Sequence, residues 1–275
     1  MVAPLRPARL TDYTRPAKNG VRILVAIKHV GKLGDEFEFR ADGRDVRPED
    51  LEHQLNEFDE SALEAAMQLV EHLGQGEVVA VTLGDEAAEA SLRKALAKGA
   101  HRGVRVWNET AMPSDPIAVA THLAGVAVLE EADLILTGVQ SSDFGNGSTA
   151  AALGGLLDWA HAAVVLTLDW DGQGRVEIVR ELEGGVRHAQ SLPAPAVLSI
   201  QSGANTPRFA TMRMIKEAKA KPLTTVTVVE IDDKASMGQV QSMQHPLVGQ
   251  ASMIEGSATE VAARIADVIR KQRGL

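Results

Sequence analysis

The sequence predicts an α/β protein, a three-layer fold around a mostly parallel central sheet, followed by an extended arm and a last helix. Three observations carry this. Short β-branched apolar runs recur from residue 21 onward, stretches with helical spacing alternate with them, and glycines punctuate the junctions. Such alternation implies βαβ units, a parallel sheet and right-handed crossovers.

Val21 to Val30 (VRILVAIKHV) suits the buried first strand of a parallel sheet. A polar stretch follows. Glu60 to His72 then places Ala62, Leu63, Ala66, Leu69 and Val70 at helical spacing, with Gly74 and Gly76 as stop signals. Glu77 to Leu83 reads as a second strand, Ala87 to Lys98 as a helix closed by Gly99, and Val104 to Trp107 as a third strand. Ile117 to Glu130 is a further helix and Ala132 to Gly138 a further strand. Ser148 to Leu157 is a small-residue helix suited to close packing on the sheet.

After that the pattern changes. Ala163 to Trp170, Val176 to Leu182 and Ala196 to Gln201 are strand-like and joined by turn pieces such as DGQG and EGG, so the sheet becomes mixed. Thr224 to Ile231 is one more strand, and residues 232 to 255 read as an extended arm. Ser257 to Gln272 has a serine cap, Glu260 three residues later and an apolar stripe of Val261, Ile265, Val268 and Ile269. That stripe packs either on its own domain or on another chain. The division expected is a disordered extension over 1–20, an α/β domain over 21–231, and the arm and helix over 232–275.

Composition narrows the function. Lys and Arg number 28 against 37 Asp and Glu, a net charge of -9, which repels nucleic-acid phosphates and anionic membrane surfaces. No nucleic-acid partner is expected. Cysteine is absent, which removes disulfides, thiolate metal sites and thiol nucleophiles and suits a reducing cytoplasm. No apolar run reaches the ~18 residues of a membrane-spanning helix, so no membrane insertion is expected. The histidines form no HExxH pair and no serine lies in a GxSxG elbow, so neither a catalytic nor a metal site is expected.

Ligands of an open parallel sheet bind beyond the carboxyl ends of its strands, where backbone amides at helix starts face phosphate. Three loops qualify: Asn56 to Asp59, Leu83 to Asp85, and Gly138 to Thr149 (GVQSSDFGNGST). The last runs three glycines and a cluster of hydroxyl and amide side chains straight into a helix start. The same residue types also serve any loop that turns a chain and caps a helix. Neither GxxxxGK[ST] nor GxGxxG occurs, so a nucleotide would be held without those fingerprints.

Several segments together resemble the beta subunit of electron transfer flavoproteins, across residues 21 to 230. They are VRILVAIKHV, similar to the opening strand with its VAVKRV pattern; LNEFDESALEAAMQL, similar to NPFDE-x-ALEEA-x-L; and ALAKGAHRGVRV, similar to ALAMGADR. LTGVQSSDFGNGSTAAALGGLLDW resembles the G-x-Q loop with its LDWP ending, and ANTPRFATMRMIKEAKAKPL resembles NEPRYATLPNIMKAKKK. These stand in the family's order and spacing.

The resemblance implies an adenine-nucleotide-binding fold in a heterodimer whose alpha subunit carries a redox-active FAD while this chain binds AMP. Carried over by position, the nucleotide contacts are Ala26, Asn56, Glu57, Phe58, Asp59 and Leu83. To these the loop adds Gly138, Val139, Gln140, Ser141, Ser142 and Asp143, then Phe144, Gly145, Asn146, Gly147, Ser148 and Thr149. Pro207, Arg208, Phe209, Ala210, Thr211 and Met212 resemble the family's recognition loop, which docks acyl-CoA dehydrogenase-type donors, with Met212 where the family has leucine. The function implied is a non-enzymatic electron carrier that passes electrons through the alpha FAD to a quinone-linked oxidoreductase, with residues 232–275 packing on the partner subunit. This chain departs from the family at Glu57, at Ala160, and over Ser141 to Gly145, where an acidic run and NQTG are usual. In electron-bifurcating members the same pocket holds a second FAD that oxidises NADH, and that is the alternative reading.

Overall fold

The computed structural model describes residues 7–10, 16–34, 36–107, 115–230, 240–245 and 252–274. In chain order the elements are β1 (Arg9–Leu10), β2 (Arg22–Ala26), β3 (His29–Leu33), β4 (Leu51–Leu55), α1 (Glu57–Leu73) and β5 (Glu77–Leu83). Then come α2 (Glu89–Ala97), β6 (Arg102–Trp107), α3 (Pro116–Glu130), β7 (Leu134–Gly138), α4 (Thr149–Leu157) and β8 (Ala160–Asp169). The chain continues through β9 (Arg175–Glu181), β10 (Arg187–Pro193), β11 (Ala196–Ile200), α5 (Met212–Ala218), β12 (Leu223–Glu230) and α6 (Ala258–Arg273).

Ten strands form one sheet in the order β1-β12-β6-β5-β2-β7-β11-β8-β9-β10. Every pairing from β12 through to β8 is parallel, while β9, β10 and β1 join antiparallel. This is the mixed sheet expected. Side-chain alternation in β2 sorts the core into two layers. Ile23 and Val25 pack with Leu63 and Met67 of α1 and Leu92 of α2. Leu24 and Ala26 face Leu123 and Ala124 of α3 and Leu153 of α4. Helices therefore cover both faces, and the chain leaves β2 toward β5 on one side while β7 lies on the other.

Local chemistry sets the helix limits. Asp115 accepts hydrogen bonds from the Ile117 and Ala118 amides and Pro116 follows it, fixing the start of α3. Ser257 and Glu260 form a reciprocal capping box at α6. Gly74, at φ 66, ends α1 in the left-handed conformation that glycine adopts without a steric penalty.

The structure corrects the single strand expected over residues 21 to 30. The sheet strand stops at Ala26, and His29–Leu33 instead pairs antiparallel with β4 in a separate hairpin. Between them Lys28 leaves the sheet: its amide donates to the Asp59 side chain at 2.8 Å and its carbonyl accepts from the Asn56 amide at 3.0 Å. The polar stretch before the first helix thus contains β4, and the chain before Ala196 contains β10, two strands that the sequence pattern did not resolve. Strand β10 is polar and mostly exposed, with little apolar alternation to mark it.

The N-terminal segment expected to be disordered is also corrected where it is described. Arg9–Leu10 pairs with β12. Ala8 and Leu10 are buried, and the Ala8 amide donates to the Thr121 carbonyl of α3 at 2.9 Å. Gly125 makes this crossing possible, since a Cβ there would lie 2.4 Å from the Ala8 carbonyl oxygen.

In the arm, the Met243 amide donates to the Gly43 carbonyl, and His245 packs against the rings of Phe37 and Phe39. Residues 231–239 and 246–251 of the arm lie outside the described residues. Helix α6 buries none of its residues, and Ile265, Val268 and Ile269 stay exposed. No helix among the described residues is long and apolar enough to cross a membrane.

Candidate functional site: a crevice at the sheet's switch point

The carboxyl ends of β5, β2 and β7 meet where the strand order reverses, which is where open α/β sheets bind ligands. A crevice opens there. Asp59 organises it. In the first turn of α1 and buried, its two carboxylate oxygens accept from the Lys28 amide at 2.8 Å and the Gly138 amide at 3.0 Å. One side chain thus pins the chain after β2 to the end of β7. Burial pushes the Asp59 carboxyl up to about 7, against the opposing hydrogen bonds of Asn56, Lys28 and Gly138.

Asn56 works beside it. Standing at the start of α1, it makes no side-chain cap to its own helix. Instead its Nδ2 donates to the Gln140 carbonyl at 2.9 Å and its Oδ1 accepts from the Ser142 amide at 3.2 Å. The asparagine therefore stitches the glycine-bearing loop down. Gly138 is obligatory at this junction: a Cβ would stand 2.5 Å from Asp59 Oδ1 and 2.6 Å from the Phe58 carbonyl carbon.

The crevice wall comprises Ala26 at the end of β2, Ile27 and Lys28 after it, then Asn56, Asp59 and Leu83. Pro116, Val119 and Leu123 of α3 supply an apolar side. The loop contributes Gly138, Val139, Gln140, Ser141, Asn146 and Gly147, bounded by Thr137, Thr149 and Ala150. Gly147 has φ 62, and Ser148 makes no side-chain cap to α4, so the first turn of α4 opens on the wall with its amides uncovered by that side chain.

The other positions carried over from the sequence sit around the wall rather than on it. Glu57 is exposed at the outer side of α1, Phe58 lies beneath Gly138, and Gly145 turns the loop at φ 61. Ser142 is bonded to Asn56, and Ser148 accepts from the Ala152 amide. Asp143 and Phe144 meet the Lys28 side chain at the rim. Sequence reasoning missed Ile27, Lys28, Thr137, Ala150 and the α3 residues. Lys28 lies two residues beyond Ala26, a spacing that would have drawn attention to it, whereas nothing local in PIAVATHL points at a ligand.

A second surface sits away from the crevice. Arg208 is clamped to α1 by Glu64 at 2.8 Å and Glu71 at 2.6 Å, and Thr211 caps α5 by accepting from the Met214 amide. These carboxylates hold the Arg208 guanidinium well above its ordinary pKa. Burial opposes ionisation of Glu64, but Arg208 and Gln68 hold its carboxyl below the usual range. Beside this anchor Phe209 and Met212 are 88% and 81% exposed.

Fold and crevice define a doubly wound α/β protein with a glycine-edged crevice at its switch point. A family profile described as "Electron transfer flavoprotein domain" matches residues 46–231. The electron transfer flavoprotein subunit beta of Methylophilus methylotrophus is 42% identical over 263 residues, covering 92% of this chain and 100% of that protein. The subunit beta of Bradyrhizobium diazoefficiens is 33% identical, covering 76% and 83% respectively, and that of Mus musculus 31%, covering 91% and 98%. The chain belongs to the electron transfer flavoprotein family, on its beta-subunit branch.

Proposed function

We propose that this chain is the beta subunit of a heterodimeric electron transfer flavoprotein that holds AMP structurally in the switch-point crevice. The alpha subunit carries the FAD that takes electrons from acyl-CoA dehydrogenase-type donors and delivers them to a quinone-linked oxidoreductase. This chain performs no chemistry of its own in that scheme and works in the cytoplasm. The observation that carries the reading is the Asp59 and Asn56 framework, which fixes three chain segments around a crevice with an apolar side for a base and amides with an ammonium for phosphate.

Docking falls to Phe209 and Met212, apolar side chains presented on an anchored backbone, an arrangement that suits insertion into a partner's pocket. The bare stripe of α6 suits packing on the alpha subunit. The deciding experiment co-purifies the chain with its alpha partner, denatures the complex and quantifies nucleotides. One FAD and one AMP per heterodimer is expected. Two FAD and no AMP would overturn the assignment in favour of an electron-bifurcating subunit whose second flavin oxidises NADH.

A further inference from the structure

Lys28 is the one cation on the crevice wall among the described residues. Its backbone is fixed from both sides by Asp59 and Asn56. Its side chain, 39% exposed, reaches along the rim to Asp143 at 2.8 Å. There the ammonium also stands 3.5 Å from Ser141 Oγ and 4.7 Å from the centre of the Phe144 ring. The contact therefore ties the strand end to the outer part of the loop, between Ser141 and Gly147, both of which line the crevice.

A carboxylate at this rim works against an anionic ligand. Burial opposes its ionisation, yet hydrogen bonds from Lys28, Ser141 and the Phe144 amide hold the Asp143 carboxyl below its ordinary value. It is therefore charged at neutral pH, and a phosphate monoester arriving nearby adds close to two further negative charges. Lysine suits such a place, because a compact ammonium on a flexible stem can change partners while its backbone stays still.

We propose that Lys28 is the phosphate-selecting residue of the crevice: its ammonium leaves Asp143 for the phosphate of a bound adenine mononucleotide, and Asp143 holds it in place when the crevice is empty. The inference rests on reading the crevice as a nucleotide site. It differs from a bracing role, in which the ion pair would only keep the loop in shape.

The test uses the full chain assembled with its alpha partner, stripped of nucleotide in denaturant, refolded and titrated with AMP and with adenosine by calorimetry. Lys28→Met should weaken AMP about tenfold, the loss of one charge-assisted contact, and leave adenosine unchanged. Asp143→Asn should tighten AMP several-fold, because it removes both the competitor and the repulsion, again with adenosine unchanged. Adenosine binding reports that each variant has folded. Equal losses of AMP and adenosine in Lys28→Met, or weaker AMP binding in Asp143→Asn, would overturn the proposal in favour of the brace. A wild-type preference for AMP that survives in Lys28→Met would sink this proposal alone. A wild-type complex that binds neither compound would sink it together with the nucleotide reading.

Discussion

At the amino end of the sheet, Arg22, Glu77, Arg102 and Glu130 close on one another. At the carboxyl end, the buried carboxylate of Asp59 bonds to backbone and leaves the wall beside it open. Arg22 donates to Glu77 at 2.8 Å and to the Glu130 carbonyl at 2.6 Å, while Arg102 bridges Glu77 at 2.7 Å and takes Glu130 through both terminal nitrogens. Every charge in that cluster has a charged neighbour, so nothing is left to recruit a ligand. Asp59 by contrast meets two amides that belong to different segments, and the space those segments enclose is the crevice. Buried charge is thus common to both ends, and only its partners separate a structural cluster from a site.

Four predictions probe that contrast, beginning with the largest effect. Arg102→Ala should cost about 3–5 kcal/mol, because it removes the guanidinium that bonds both oxygens of the buried Glu130 carboxyl and leaves it only Arg22 at 3.7 Å. Denaturant unfolding of the chain measures this, and adenosine affinity at native conditions should be unmoved; a loss below about 1 kcal/mol would mean that Arg22 alone suffices for Glu130. Asp59→Ala should cost about 2–4 kcal/mol, since the Lys28 and Gly138 amides each lose a buried acceptor, and should abolish nucleotide retention as well. Retained nucleotide in that variant would show that the loop holds itself without Asp59.

Two carboxyls, Asp59 at the carboxyl end and Glu77 at the amino end, respond to pH with opposite signs, while burial pushes Glu130 of the amino-end cluster up to about 7, the same direction as Asp59. The folded pKa of Asp59, about 7, lies above its ordinary value of 3.8, so its stabilising contribution is full below about 4 and is lost as pH rises toward and through 7. Glu77 behaves in reverse. Burial opposes its ionisation, but Arg102 and Arg22 hold its carboxyl below 4.5, so its contribution is present above that value and fades as pH falls through the folded pKa. The stability difference between wild type and Asp59→Asn should therefore decline from pH 4 to pH 7, whereas that between wild type and Glu77→Gln should grow from pH 3 to pH 5. Parallel curves would remove the distinction.

The smallest stability effect belongs to Met212→Ala, expected within about 0.5 kcal/mol because the side chain is almost wholly exposed. Stopped-flow reduction of the complex by its dehydrogenase should nevertheless slow, with an unaltered flavin spectrum. An unchanged rate would move docking away from this loop.

The layers and the mostly parallel sheet were legible because the relevant residues announce themselves locally: ILVA, VVAVTL and LILTG are short β-branched apolar runs that suit a buried parallel sheet. Legibility failed where a long-range partner decides the outcome. Lys28 and His29 read as strand, yet Asp59, thirty-one residues away, draws the chain out of the sheet. Ala8 and Leu10 read as loose chain until Gly125 on α3 supplies a groove for them. In the candidate site the glycines and Asn56 were visible as loop chemistry, but the α3 side of the crevice was not, since Val119 and Leu123 look like any core positions.

Helix α1 carries the crevice at its first turn and the Arg208 anchor further along the same rod, with Asp59 and Glu64 separated by about 7.5 Å of axial rise. A rotation of this helix large enough to draw Asp59 from the Lys28 and Gly138 amides would also swing Glu64 and Glu71 away from Arg208. The crevice and the loop bearing Phe209 and Met212 are therefore mounted on a single lever, and neither can be re-aimed without disturbing the other.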